Sequence, residues 1–91
     1  MTPHTPVSGL NDNLDVMGKQ LHIQTENTGL GASRIVTQVF CGGRVILSRK
    51  TDLAAIEGDS ARIRELMSSQ HLQIIQEIKE KLARRQDRTP H

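Results

Sequence analysis

The stretch Arg34-Ile-Val-Thr-Gln-Val-Phe-Cys-Gly-Gly-Arg-Val-Ile-Leu-Ser-Arg-Lys-Thr51 decides the fold. Two apolar, β-branched runs flank Gly42-Gly43, and a two-residue connection between such runs predicts a β-hairpin. Both central residues of a favoured hairpin turn can need φ > 0, which glycine adopts without steric cost. With these glycines as the loop, Cys41 faces Arg44, Phe40 faces Val45, Val39 faces Ile46 and Gln38 faces Leu47. Residues directly opposite share a face. One face then holds Val36, Phe40, Val45 and Leu47, and the other holds Ile35, Val39, Cys41 and Ile46. Neither is fully polar, whereas a sheet with one wet side shows a cleaner split. The Phe40 face is expected to form the intramolecular core, with part of the second face covered by something else.

Upstream, Lys19 to Glu26 alternates, with Leu21, Ile23 and Thr25 on one side and Gln20, His22, Gln24 and Glu26 on the other. That is the pattern of a half-buried strand. Asn27 to Ser33 contains two glycines and is long enough for an antiparallel return. Leu14 to Met17 forms a short candidate strand before Gly18, which is a turn or a bulge. Residues 1–13 lack periodicity and carry two prolines, so a disordered tail is expected there.

Downstream, Thr51 to Gly58 is a connector, and Asp59 or Ser60 caps a long helix running to about Arg85, before Thr89-Pro90. Its apolar positions are Ile63, Leu66, Met67, Leu72, Ile74, Ile75, Ile78 and Leu82, at steps of three and four. The fold class is therefore α+β. Three antiparallel strands, or four with Leu14–Met17, precede one long C-terminal helix packed on one face. This βββα domain spans 14–86, and 87–91 form a second tail.

Lengths carry the next step. About 26 helical residues span roughly 39 Å, whereas an eight-residue strand spans about 26 Å. Such a helix overhangs the sheet, and its far end needs cover from a second copy or a partner. The expected association surface is Leu66, Gln70, His71, Ile74, Ile78 and Leu82. Gln70 and His71 read as a buried polar pair at a helix–helix contact, which can fix register at a cost in stability.

Composition points the same way. In 91 residues Phe40 is the only aromatic side chain, so the core rests on Ile, Leu, Val and Met. A core this thin leaves little margin over backbone entropy, and oligomerisation is a common remedy. Cys41 has no disulfide partner, the first residues lack a signal-peptide pattern, and no apolar run approaches membrane length. A cytoplasmic, non-membrane protein is expected.

Chemistry is sparse. His4, His22, His71 and His91 have no metal-ligand spacing, so no metal or other cofactor is expected. Cys41 has a predicted cationic neighbour in Arg44, but no nucleophile–base arrangement can be assembled around it. The glycines of Asn27 to Ser33 precede a strand rather than a helix, which argues against a phosphate loop. The carboxylates are scattered, and catalysis is not expected. Net charge is +2, and residues 44–91 hold ten basic and seven acidic side chains. Arg44, Arg49 and Lys50 on the hairpin, with Arg84 and Arg85 at the helix end, could contact nucleic acid. Absent aromatic stacking platforms weigh against single-strand binding of the usual kind.

The segments Leu21 to Glu26, Arg34 to Leu47 and Met67 to His71 together resemble small bacterial domains of unknown function, in which a short antiparallel sheet is followed by a helix. The resemblance covers about residues 19–78, implies the architecture and implies no chemistry. The expected function is non-enzymatic. An adaptor or regulatory subunit would dock on another protein of a bacterial signalling, motility or assembly system, and self-associate as a homodimer through the helix. A nucleic-acid-binding regulator is the alternative.

Overall fold

The computed structural model describes residues 9–28, 34–53, Ile56 and 59–87, with side chains as far as residue 84. Four strands, β1 (Gly9–Val16), β2 (Lys19–Thr28), β3 (Arg34–Cys41) and β4 (Arg44–Asp52), precede one helix, α1 (Ser60–Asp87). The strands form an antiparallel sheet in chain order, and α1 packs on one face of it. β1 begins at Gly9, so residues 9–13, expected in a tail, belong to the sheet. Residues 1–8 and 88–91 of the two expected tails lie outside the described residues.

Two tight turns set the hairpins. Gly42 and Gly43 have φ of 61° and 81°, the positive values that their two-residue loop requires. Met17-Gly18 does the same between β1 and β2, with φ of 50° and 81°, although methionine has no special tolerance for that region. At the start of α1, the Asp59 carboxylate accepts from the Arg62 backbone N–H at 3.1 Å and caps an otherwise unpaired donor.

The core lies on the face opposite the expected one. Leu21, Ile23 and Thr25 of β2 pair with Cys41, Val39 and Thr37 of β3, so these residues share the helix side. Ile23, Ile35, Val39 and Ile74 are wholly buried. Phe40 sits on the outer face beside His22, their ring centroids 6.2 Å apart. The parity of β3 is dictated by its pairing with β2, and β2 can bury only its apolar side.

The hairpin register also departs from a simple ladder. Cys41 faces Arg44 and Phe40 faces Val45, but Val39 then faces Leu47 and Gln38 faces Ser48. Ile46 is the extra residue of a β-bulge and stays largely exposed. The shift turns Leu47, Arg49 and Thr51 toward the helix, where Leu47 joins the core around Ile74.

The 28 residues of α1 span about 42 Å. Ile74 is buried, and Ile75 and Ile78 pack on the same cluster together with Leu14 and Val16 of β1. Much of the cover expected from outside thus comes from this fourth strand. Ile74→Ala should leave an enclosed cavity and cost about 2–5 kcal/mol. Phe40→Ala opens no such cavity and should cost less. Urea denaturation of both variants checks the order, and the opposite order would return Phe40 to the core.

Candidate functional site

Two separate apolar clusters hold α1 to the sheet. Leu21, Ile23, Val39 and Ile74 form one, and Ile35, Leu53, Ile63 and Met67 form the other. Between them runs a belt of polar side chains that the strands and helix position one above another. β2 contributes Thr25, β3 contributes Thr37 directly opposite, and successive residues Gln70 and His71 descend from the helix. All four are buried.

The donors and acceptors of this belt run in one direction. A carboxylate only accepts, so His71 Nε2–H donates to Asp12 Oδ2 at 2.8 Å. Gln70 Nε2 can only donate to Thr37, so the Thr37 hydroxyl donates on to Thr25, and the Thr25 hydroxyl donates to Nδ1 of the ring at 2.7 Å. Thr25 Oγ1 in turn accepts from the Thr37 hydroxyl at 2.7 Å, and Thr37 Oγ1 accepts from Gln70 Nε2–H at 3.0 Å. The second Gln70 N–H reaches the Arg49 carbonyl at 3.3 Å. The Gln70 carbonyl oxygen accepts from the Thr51 hydroxyl. Every strand of the sheet is tied to the helix through this chain.

The order Thr25–His71–Asp12 is that of a hydroxyl–imidazole–carboxylate relay. Here the hydroxyl is wholly buried and shared with Thr37, so no substrate reaches it. The chain positions α1 on the sheet. An ion pair closes its outer flank, with the Arg49 guanidinium gripping both Glu77 carboxylate oxygens at 3.1 and 2.8 Å. The hydrogen bond from Arg49 holds the Glu77 carboxyl below the usual glutamate range, and the same bond raises Arg49.

The outer face of the sheet is built differently. Cross-strand pairing aligns Asn13, His22, Phe40 and Val45 in one row, and Asn11, Gln24, Gln38 and Ser48 in the next. The His22 ring nitrogens each lie 3.1 Å from an amide oxygen, Nδ1 from Asn13 and Nε2 from Asn11. A shallow depression of about 550 Å³ lies at the hairpin end of this face, between His22, Phe40, Lys19 and the Gly42-Gly43 turn. A second, of about 280 Å³, lies between the Met17 turn and Leu82 of α1.

The sequence-derived association residues fall into two groups. Gln70, His71 and Ile74 are buried against the protein's own sheet, while Leu66, Ile78 and Leu82 are half-buried along the helix flanks. Gln70 and His71 form a buried polar pair between helix and sheet rather than between two helices. The basic residues are not gathered on one surface. Arg49 lies on the helix side, engaged with Glu77, and Lys50 lies on the outer face opposite Val36. Arg44 is exposed at the hairpin, Arg84 is exposed near the helix end, and the Arg85 side chain lies outside the described residues. Cys41 is a half-buried free thiol packed on the cluster around Ile74. Among the described residues no three His, Cys, Asp or Glu side chains converge as a metal site, and no helix is long and apolar enough to cross a membrane.

Asp12, Thr25, Thr37 and Thr51 are the belt members not expected as site residues from the sequence. For Asp12 the available signal is its place midway between Leu10 and Leu14, at the period-two spacing that puts all three on one strand face. No family model matches the chain, and comparison with curated proteins and with solved structures found no match.

Thr37→Val keeps the shape and adds apolar surface, yet it strips Gln70 Nε2 and Thr25 of a partner. A buried polar group left unpaired costs about 1–3 kcal/mol. Chemical denaturation should therefore show a loss in that range, and an unchanged or raised stability would mean that the belt is not closed as described.

Proposed function

We propose that the chain is a non-enzymatic protein–protein interaction module, an adaptor or regulatory subunit, and that the outer sheet face is its docking surface. One contrast carries this reading. The polar groups on the helix side are engaged with one another, whereas the outer face carries the chain's one phenylalanine, Phe40, between His22 and Val45 and beside a row of amides, on the side of the sheet away from α1. An antiparallel sheet with one solvated face tolerates this arrangement, and Phe40 there supplies the kind of rigid anchor that interface centres use.

The face suits a polypeptide better than a phosphate backbone. It carries Asp15 and Glu26 as well as Arg34 and Lys50, so its charge is mixed, and its amides can pair with backbone N–H and C=O groups. Of the helix stripe, Ile74 is committed to its own core, and Leu66, Ile78 and Leu82 are already half-covered. The partner is therefore a protein segment laid across the His22–Phe40 row, in a signalling, motility or assembly system of the kind the sequence suggested.

The test compares wild type with Phe40→Glu as bait in the native cell, with Leu72→Glu on the far side of the helix as control. A partner retained by wild type and the control and lost with Phe40→Glu, at unchanged helicity, is the expected result. Equal retention by all three would overturn the reading, as would capture of nucleic acid alone that falls away steeply with salt.

A further inference from the structure

We infer that the two edges of the sheet are complementary and that the chain assembles head to tail with further copies of itself, β4 of one copy pairing with β1 of the next. This does not depend on the open-face reading, because it concerns the rims of the sheet and not its outer surface.

Three observations carry it. The first is topological. Among the described residues β1 and β4 each have a strand neighbour on one side only, so each presents a row of unpaired backbone groups. The four strands alternate in direction, so β1 and β4 run oppositely. A copy placed beyond β4 in the same orientation therefore continues the antiparallel pattern and keeps its helix on the same face. Four strands occupy about 19 Å and a helix is about 10–12 Å across, so neighbouring helices do not collide.

The second is charge. β1 carries Asp12 and Asp15 and no cation, whereas β4 carries Arg44, Arg49 and Lys50 against Asp52. Edges charged only to prevent aggregation repel whatever approaches, and a single sign on both edges would do that. Opposite signs instead disfavour β1–β1 and β4–β4 pairing and favour β4–β1. The interaction is heterologous, of the type that makes rings or open filaments rather than two-fold dimers.

The third is register. Setting Arg49 opposite the neighbouring copy's Asp12 places Leu47 opposite Leu14 and Thr51 opposite Leu10, all on the helix side. Leu10, Leu14 and Leu47 are each only partly buried within one copy, and this pairing covers them. Asp12 and Arg49 remain accessible enough to meet, with side-chain exposures of 58% and 37% beside their internal partners. A shift by one residue would set Arg49 opposite Asn11 or Asn13, outer-face residues of β1, and turn the neighbour's helix to the other side.

Edge-reversed variants of the full chain test this by sedimentation velocity over a wide concentration range. Arg44→Glu with Lys50→Glu makes both edges acidic, and Asn11→Lys with Asp15→Lys makes both edges basic, Lys50 facing Asn11 in this register. Neither pair touches the belt. Wild type should grow beyond a dimer as concentration rises, each variant alone should associate about tenfold or more weakly, and an equimolar mixture of the two variants should recover association. Circular dichroism on each variant establishes that it folds. A wild type that stays monomeric or stops at a dimer would overturn the proposal. So would a variant that associates as well as wild type, or a mixture of folded variants that stays apart.

Discussion

One buried hydrogen bond, from the Thr25 hydroxyl to His71 Nδ1, is the constraint on which the arrangement of this domain turns. Apolar contact alone would hold α1 to the sheet without selecting one position for it, because burial of Ile, Leu and Met side chains is non-directional. Hydrogen bonds have direction and count. His71 can satisfy Asp12 and Thr25 together in one position of the helix, and Gln70 can satisfy Thr37, Thr51 and the Arg49 carbonyl only in that same position. Each such bond adds about 0.5–1.5 kcal/mol net, but a displaced helix would strand several buried groups at about 1–3 kcal/mol each. The belt thus contributes specificity more than gross stability.

This division of labour shapes the outside of the molecule. Outside the helix–sheet interface, the described residues also present the outer sheet face and the two strand edges, the surfaces proposed here for association. Phe40 and His22 stand on the first, flanked by amides. The edges carry opposite charge, and the β-bulge at Ile46 is what turns Arg49 toward the helix side, where it meets Glu77. The bulge therefore links the fold to the edge chemistry. Without it, Arg49 would stand on the outer face.

How far the sequence discloses all this depends on whether a signal is local. Gly42-Gly43 and the capping Asp59 are legible because turn and cap chemistry reside in the residues themselves. The strict alternation of β2 is legible for the same reason. The choice of face for β3 is not, since Val36 and Phe40 look as fit for burial as Ile35 and Val39, and only the pairing with β2 decides. The bulge leaves no mark in a run as uniformly apolar as Val45-Ile46-Leu47. β1 is masked by Asp12, which sits on a core-facing position because His71 comes down to meet it from 59 residues away. Gln70 and His71 stand out as polar residues on an apolar stripe, so their burial can be expected, but their partners are set by tertiary structure.

The most direct measurement is heteronuclear NMR of the His71 ring nitrogens in the native protein near neutral pH. The proton is expected on Nε2, slowly exchanging and bonded to Asp12, with Nδ1 a bare acceptor correlated with the Thr25 hydroxyl. A proton resident on Nδ1, or a rapidly averaging, solvent-exposed imidazole, would contradict this arrangement.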